Sequence, residues 1–277
     1  MILWMQALVA AAAAAAALCL GRFYFARTYR RAVWGGLASI GWLAFVVTAH
    51  LVHLNSTYSG FDWVAGSRNK FLLIGFAVCF GLLGPIPYLN RRWKKVFTAS
   101  VLTVFLAIFL GLPFLVPALY SPHLWNLPGC IDEDGVCRQS TSFTCGPAAA
   151  VTALKKMGLE ASEAQIAVVS GTIPAVGTGM WDLCRGLQKL FPPEQLECRY
   201  ARAGSLEDLP EGQVILAVLR QTFWLDHCVA ILEITPETVL FADPSNGLCS
   251  LPRRVFEASW RKTAIVLARP EEHSADL

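Results

Sequence analysis

Cys145 stands directly before Gly-Pro in the stretch QSTSFTCGPAAAVTALKKMG, residues 139–158. Three roles are open to it: a nucleophile, half of a disulfide, or a small buried side chain. Pro147 suits a first helical turn, an alanine-rich body follows, Lys155 and Lys156 belong in a last turn, and Gly158 is a stop. Cys145 therefore opens a helix. There the unpaired backbone N–H groups and the positive end of the macrodipole favour a thiolate, the form that attacks a carbonyl.

A nucleophilic thiol needs a base. His123 falls close to the last long apolar run and His273 lies in the tail EEHSADL, whereas His227 begins the apolar strand HCVAILEI and alone has a rigid setting. The chain then turns at TPET (235–238) into VLFAD, ending at Asp243 before PSNG. Two adjacent antiparallel strands would bring Asp243 beside His227 to orient the imidazole, completing a Cys-His-Asp triad. Gln139, six residues before Cys145, offers a side-chain amide as a second oxyanion donor beside the Cys145 N–H. Taken singly, each residue has a plainer reading: a structural Cys, a packed His, an Asp that begins a turn.

Nine cysteines bear on the choice for Cys145. Cys19 and Cys79 fall inside apolar runs and read as buried small side chains. Seven follow residue 120: Cys130, Cys137, Cys145, Cys184, Cys198, Cys228 and Cys249. If Cys145 is the odd one, the other six fall into sequence-neighbour disulfides 130/137, 184/198 and 228/249, one of the fifteen connectivities that six cysteines allow. Strand alternation points Cys228 away from the face of His227, leaving it for such a bridge. Zinc is the competing use of these cysteines, but no C-x-x-C occurs and three histidines (123, 227 and 273) serve this half, so no metal site is expected.

The elements around this chemistry divide the chain in two. Of 277 residues 55% are hydrophobic and 16% charged, too apolar for a wholly water-exposed chain. Residues 1–120 carry ten of the 23 basic residues but only one of the 20 acidic ones, Asp62. Apolar runs near 2–20, 33–54, 71–90 and 97–119 are each long enough to cross a hydrocarbon core of about 30 Å as a helix. The first is not a cleaved secretory signal, because no basic residue precedes it and Arg22, Arg27, Arg30 and Arg31 follow it. Those arginines and the loop RRWKK (91–95) belong in the cytoplasm by the positive-inside rule. The loop 55–70 and everything after the fourth span then face outward, to the periplasm or exterior of a bacterial cell. His50 and His53, at the outward end of the second run, read as interfacial residues, and Pro85, Pro87, Pro113 and Pro117 as kinks or helix ends.

The ordered set Q-x5-C-G-P-A-A (139–149), G-T-G-M-W (177–181), D-H-C-V-A (226–230) and F-A-D-P-S-N-G (241–247) closely resembles the bacteriocin-processing cysteine peptidases, papain-like domains that remove double-glycine leaders. The resemblance runs from about residue 135 to 268. It implies an oxyanion glutamine at Gln139, the nucleophile at Cys145, the base at His227 and the orienting aspartate at Asp243. It also implies a helical subdomain after the nucleophile and then an antiparallel sheet. Local signals concur: a capping-box-like S-E-A-Q at 162–165, a helical stretch near 179–190, and strand-like runs at 213–219, 227–234, 238–243 and 264–268. Thr178, Gly179 and Trp181 from the family-like loop, and Trp224 just before the base, are candidate substrate-cleft residues.

The fold class expected is thus four transmembrane helices (1–120) followed by an α+β papain-like peptidase domain with an antiparallel sheet (121–277). Family members fused to exporters precede a transporter with its own ATPase, whereas here the domain follows the spans and no G-x-x-x-x-G-K-[ST] occurs. The function expected is hydrolysis of peptide bonds in exported or membrane-associated proteins. A cell-wall amidase or transamidase using the same triad, and an inactive membrane sensor or scaffold, are the alternatives. Partners expected are a peptide or protein substrate and the lipid bilayer, with a membrane partner protein left open, no nucleic acid and no cofactor.

Overall fold

The structure is a computed structural model that describes residues 2–25, 27–55, 64, 67–174, 176–210, 212–222 and 226–270. Two compact units are present: Met1–His53 with Phe61–Tyr120, and Ser121–Leu277 with Leu54–Gly60.

The first unit is helical. Helix α1 spans Ile2–Phe25, α2 spans Tyr29–Asn55, and α3 spans Asn69–Ala77 and runs on through a wide π-helical turn at Val78–Leu82. Helix α4 (Arg92–Leu106) continues through a second π-helical stretch, Ala107–Leu115, into α5 (Val116–Trp125). Four helical segments, Leu3–Phe25, Tyr29–Val52, Asn69–Tyr88 and Arg92–Trp125, are long and apolar enough to cross a membrane. Pro113 lies inside the second π-helical stretch, where a missing N–H and a bulky ring widen the turn. Pro85 and Pro87 sit where the third segment ends. Helices approach closely at small residues, as at Gly81, where an added Cβ would stand 2.1 Å from the carbonyl oxygen of Gly35.

The second unit is an antiparallel sheet covered on both faces. A short pair, β1 (Cys130–Ile131) and β2 (Cys137–Arg138), precedes three helices, α6 (Cys145–Lys156), α7 (Glu163–Val169) and α8 (Met180–Leu190). Then come β3 (Glu197–Arg202), β4 (Val214–Arg220), β5 (Asp226–Ile234), β6 (Thr238–Asp243), β7 (Gly247–Pro252), α9 (Arg253–Ser259) and β8 (Trp260–Ala268). The six main strands are ordered β3-β8-β4-β5-β6-β7, every pairing antiparallel. The α+β class and the antiparallel sheet agree with the reading from sequence.

Alternation divides the strand residues between two cores. Leu216, Val218, Cys228, Ala230 and Ala242 face the helices α6 to α8, while Ile215, Ala217, Val229, Ile231 and Phe241 face α9 and Trp260. Helix α6 is buried from Gly146 to Leu154, and its small residues let it lie flat on β5 and β4. Helix α7 opens with the expected capping box: Ser162 Oγ accepts from Gln165 N–H at 3.1 Å, and Gln165 Oε1 accepts from Ser162 N–H at 3.0 Å.

Helix α8 passes so close to the end of α7 that a Cβ on Gly186 would stand 2.1 Å from Ser170 Oγ and 3.0 Å from Ser170 Cα. In an open helix, Gly→Ala gains about 1 kcal/mol in propensity. Here the serine backbone must move, at a cost of about 1–3 kcal/mol, so Gly186→Ala is expected to be net destabilising. Thermal unfolding of the full chain in detergent checks this, and a raised Tm would contradict it.

The three expected disulfides are not formed; all nine cysteines are free. In β1 and β2, Cys130 pairs with Arg138 and Ile131 with Cys137, so the two cysteines project to opposite faces, one exposed and one buried. Cys228 faces the helix side, with its Sγ 3.9 Å from Met180 Sδ, while Cys249 packs on the opposite face two strands away. Two strand spacings are about 9–10 Å, beyond the ~7 Å Cα separation that a bridge tolerates. Cys184 and Cys198 do meet, as thiols: Cys198 Sγ donates to Cys184 Sγ at 2.8 Å. Burial pushes Cys137 up to about 12 and Cys228 well above the usual thiol range, which makes both inert core side chains. The odd count therefore says nothing about Cys145, whose case rests on its position.

Candidate active site

Cys145 is the first residue of α6, where the helix axis and the unpaired N–H groups of the first turn point at its side chain. Its N-cap, Thr144, is fully buried, and Thr144 Oγ1 is held by Thr141, accepting from its N–H and donating to its carbonyl, both at 3.1 Å. The entry to the helix is fixed from behind. In front of it, Thr178 abuts Gly146: an added Cβ there would stand 3.5 Å from Thr178 Cβ. Thr178 Oγ1 lies 2.7 Å from Thr172 Oγ1, and the loop between them is closed by paired hydrogen bonds between Ile173 and Gly177.

His227 is the second residue of β5, whose start is pinned by an ion pair between Asp226 and Arg261 at 2.7 Å. Ala230 pairs with Ala242 across β5 and β6. Extending that register puts Asp243 opposite Val229 and makes His227 its diagonal neighbour on the same face. The side chains close the remaining gap, with His227 Nε2 2.6 Å from Asp243 Oδ1. The Cys145 side chain stands near enough to the same imidazole to act on its proton. With Nε2 engaged by Asp243, the nitrogen left for the sulfur is Nδ1.

Asp243 is buried and accepts two further hydrogen bonds, from Ser245 N–H at 2.7 Å and from Asn246 Nδ2 at 2.8 Å. Burial alone would raise its carboxyl, but His227, Asn246 and Ser245 outweigh that and hold it down at about 2. For His227, burial works toward lowering. The hydrogen bond to Asp243 and its charge, together with the neighbouring Cys145 side chain, overcome it and lift the imidazole to about 9. His227 is therefore protonated at neutral pH.

Gln139 is placed at the same end of the sheet, because its N–H donates to the carbonyl oxygen of Pro244 at 3.0 Å, directly after Asp243. Its side-chain Oε1 is buried without a hydrogen-bond partner among the described residues. Among the candidate cleft residues, Thr178 and Gly179 lie against the start of α6 and at the N-cap of α8. Trp181 is half-buried and stacks edge-on against Tyr200 of β3, with ring centroids 5.4 Å apart. Trp224 lies outside the described residues. Asn246 and Ser245 were missed as partners of Asp243, although the run Asp-Pro-Ser-Asn carries the signal, since an Asp at a turn accepts from the backbone two residues on.

Comparison with known proteins covers this same unit. An uncharacterized protein of Methanothermobacter marburgensis is 26% identical over 150 residues, 54% of this chain and 99% of the relative. One of Methanothermobacter thermautotrophicus is 28% identical over 140 residues, 50% of this chain and 92% of the relative. Among solved structures, the peptidase domain of Streptococcus ComA, a bi-functional ABC transporter, aligns with 48% of this chain and 96% of its own at 22% identity and a TM-score of 0.41. A double glycine motif protease from an AMS/PCAT transporter, solved with its leader peptide, aligns with 48% of this chain and 89% of its own at 18% identity and a TM-score of 0.41. The family model of the Peptidase C39 family matches residues 134–272, which takes in Gln139, Cys145, His227 and Asp243 alike, and a match over half of the chain settles its membership: this is a cysteine peptidase of the C39 family.

Proposed function

We propose that this chain is a membrane-anchored peptidase that cleaves peptide bonds of exported or membrane-associated substrates, with Cys145 as nucleophile, His227 as acid and base, Asp243 as the orienting carboxylate and Gln139 as an oxyanion donor. The observation that carries the reading is the imidazole of His227, hydrogen-bonded to Asp243 at 2.6 Å and with the side chain of Cys145, at the start of α6, close enough to act on its proton. The thiolate of Cys145 adds to the scissile carbonyl carbon, forming a C–S bond and an oxyanion that the Gln139 amide and the Cys145 N–H stabilise. The imidazolium gives its proton to the leaving nitrogen, the C–N bond breaks and a thioester remains. Water then adds to the thioester with His227 taking its proton, and the thiolate leaves as the carboxylic acid forms. Thr178, Gly179, Trp181 and Trp224 are assigned to substrate binding. None of these steps calls on a cofactor.

Residues 1–120 act as the anchor and 121–277 as the catalytic unit. The clusters Arg22 to Arg31 and Arg91 to Lys95 set the orientation, leaving the catalytic unit outside the cytoplasmic membrane. A membrane-impermeant maleimide tests reactivity and orientation together, applied to right-side-out membrane vesicles and read by peptide mass spectrometry. Cys145 is expected to be modified without lysis and ahead of the exposed Cys130. Modification of Cys145 that requires lysis would overturn the orientation, and a Cys145 slower than Cys130 would overturn its assignment as nucleophile.

A further inference from the structure

Glu163, the first residue of α7, is 1% exposed, and among the described residues both its carboxyl oxygens are used on a single partner. Oε1 accepts from Ser140 N–H at 2.9 Å and Oε2 accepts from Ser140 Oγ at 2.5 Å. The same Ser140 hydroxyl accepts from Gly129 N–H at 3.3 Å. Burying a carboxyl group is costly, and among the described residues no basic side chain pairs with this one. Nor does the capping box need it, since that device uses Ser162 and Gln165. Both of the hydrogen bonds its carboxyl accepts among the described residues go into fixing the residue that follows Gln139.

Gln139 itself is held on its other side by its N–H bond to Pro244. The backbone at 139–140 is therefore clamped between the turn that carries Asp243 and the start of α7. A free carboxamide has two side-chain torsions beyond χ1, and stabilising an oxyanion demands a donor placed to a fraction of an ångström. We propose that Glu163 is a positioning residue for the oxyanion site, acting through Ser140 to hold Gln139 where its amide meets the charge that develops on the carbonyl oxygen. The proposal rests on the assignment of Gln139 as an oxyanion donor.

Two reagents separate this role from a merely structural one. p-Nitrophenyl acetate acylates a thiolate through a tetrahedral oxyanion: a C–S bond forms, the C–O bond breaks and p-nitrophenolate leaves. Iodoacetamide alkylates the same sulfur by displacing iodide and forms no oxyanion. Both rates are read at Cys145 by peptide mass spectrometry, on the full chain in detergent. Glu163→Leu removes both acceptors and is expected to slow acetylation by about 10- to 100-fold while leaving alkylation within about twofold. In a Gln139→Ala background the same substitution is expected to add nothing.

Equal losses with both reagents, or an additive effect in the Gln139→Ala background, would overturn the proposal. If Glu163→Leu does not fold, Glu163→Asp decides, because it draws the carboxyl back from Ser140 by one methylene and carries the same expected selective loss. A selective loss in Gln139→Ala with none in the Glu163 variants would remove Glu163 alone. If Gln139→Ala itself leaves the ratio of the two rates unchanged, the oxyanion assignment fails and the positioning role fails with it.

Discussion

Replacing Cys145 by alanine is expected to reduce peptide cleavage by on the order of 10^5- to 10^6-fold, with the fold retained. The magnitude follows from what the sulfur does: without it no thioester forms, and what remains is whatever the oxyanion donors and substrate binding lend to a direct attack by water. Retention of the fold follows from the packing. Cys145 is only partly buried at the end of α6, and the core of that helix runs from Gly146 to Leu154. Loss of one sulfur atom there leaves no enclosed cavity of the kind that costs several kcal/mol. The measurement is a comparison of N-terminal peptides released in membranes from cells carrying the wild-type or the Cys145→Ala chain, with circular dichroism as the control for folding. Cleavage products present with the wild type and absent with the variant name the substrates at the same time. Identical products from both chains, with both folded, would remove Cys145 as the nucleophile.

How far this site could be read before folding depended on whether a residue acts through its neighbours in sequence or through distant ones. The start of α6 was legible because Gly146, Pro147 and the alanines that follow are local determinants of a helix. The β5–β6 hairpin was legible because alternation and a short turn fix its register, and that register alone makes His227 and Asp243 diagonal neighbours. Glu163 was not legible: it lies inside a capping-box signature that explains an acidic residue there without reference to Ser140, 23 positions away. Strands β3 and β7 escaped for a related reason. Glu197–Arg202 and Gly247–Pro252 are edge strands without a long apolar run, defined by pairing with β8 and β6 and not by their own composition.

The cysteine pairing went astray because it used sequence proximity where the deciding quantity is direction. Cys130 and Cys137 are close along the chain and face apart, and Cys228 and Cys249 belong to opposite faces of one sheet. Compartment and count gave a reason for bridges to exist and no geometry for them to form.

Replacing His227 by alanine is expected to lower the rate of peptide cleavage by about 10^4-fold, near the upper range for a general acid and base. A pH profile separates the two roles. Cleavage of a peptide bond needs the imidazolium to protonate the leaving nitrogen, and His227 is raised from its ordinary value to about 9. The required form is therefore present below about pH 9 and is lost as pH rises through that value, giving the descending limb of the profile. Asp243, held down at about 2, stays ionised over the whole working range and contributes no limb of its own above that pH. An ester substrate with a good leaving group needs no such proton, so its acylation rate should lack the descending limb that the amide shows. In Asp243→Asn one of the interactions that lift His227 disappears while burial still works downward. The descending limb should then move to lower pH, and it should move the same way for the titration of His227 followed by NMR in Cys145→Ala, which removes the other lifting partner. An amide profile that stays flat through pH 9, or a limb that holds its place in Asp243→Asn, would mean that the proton reaching the leaving group does not come from His227.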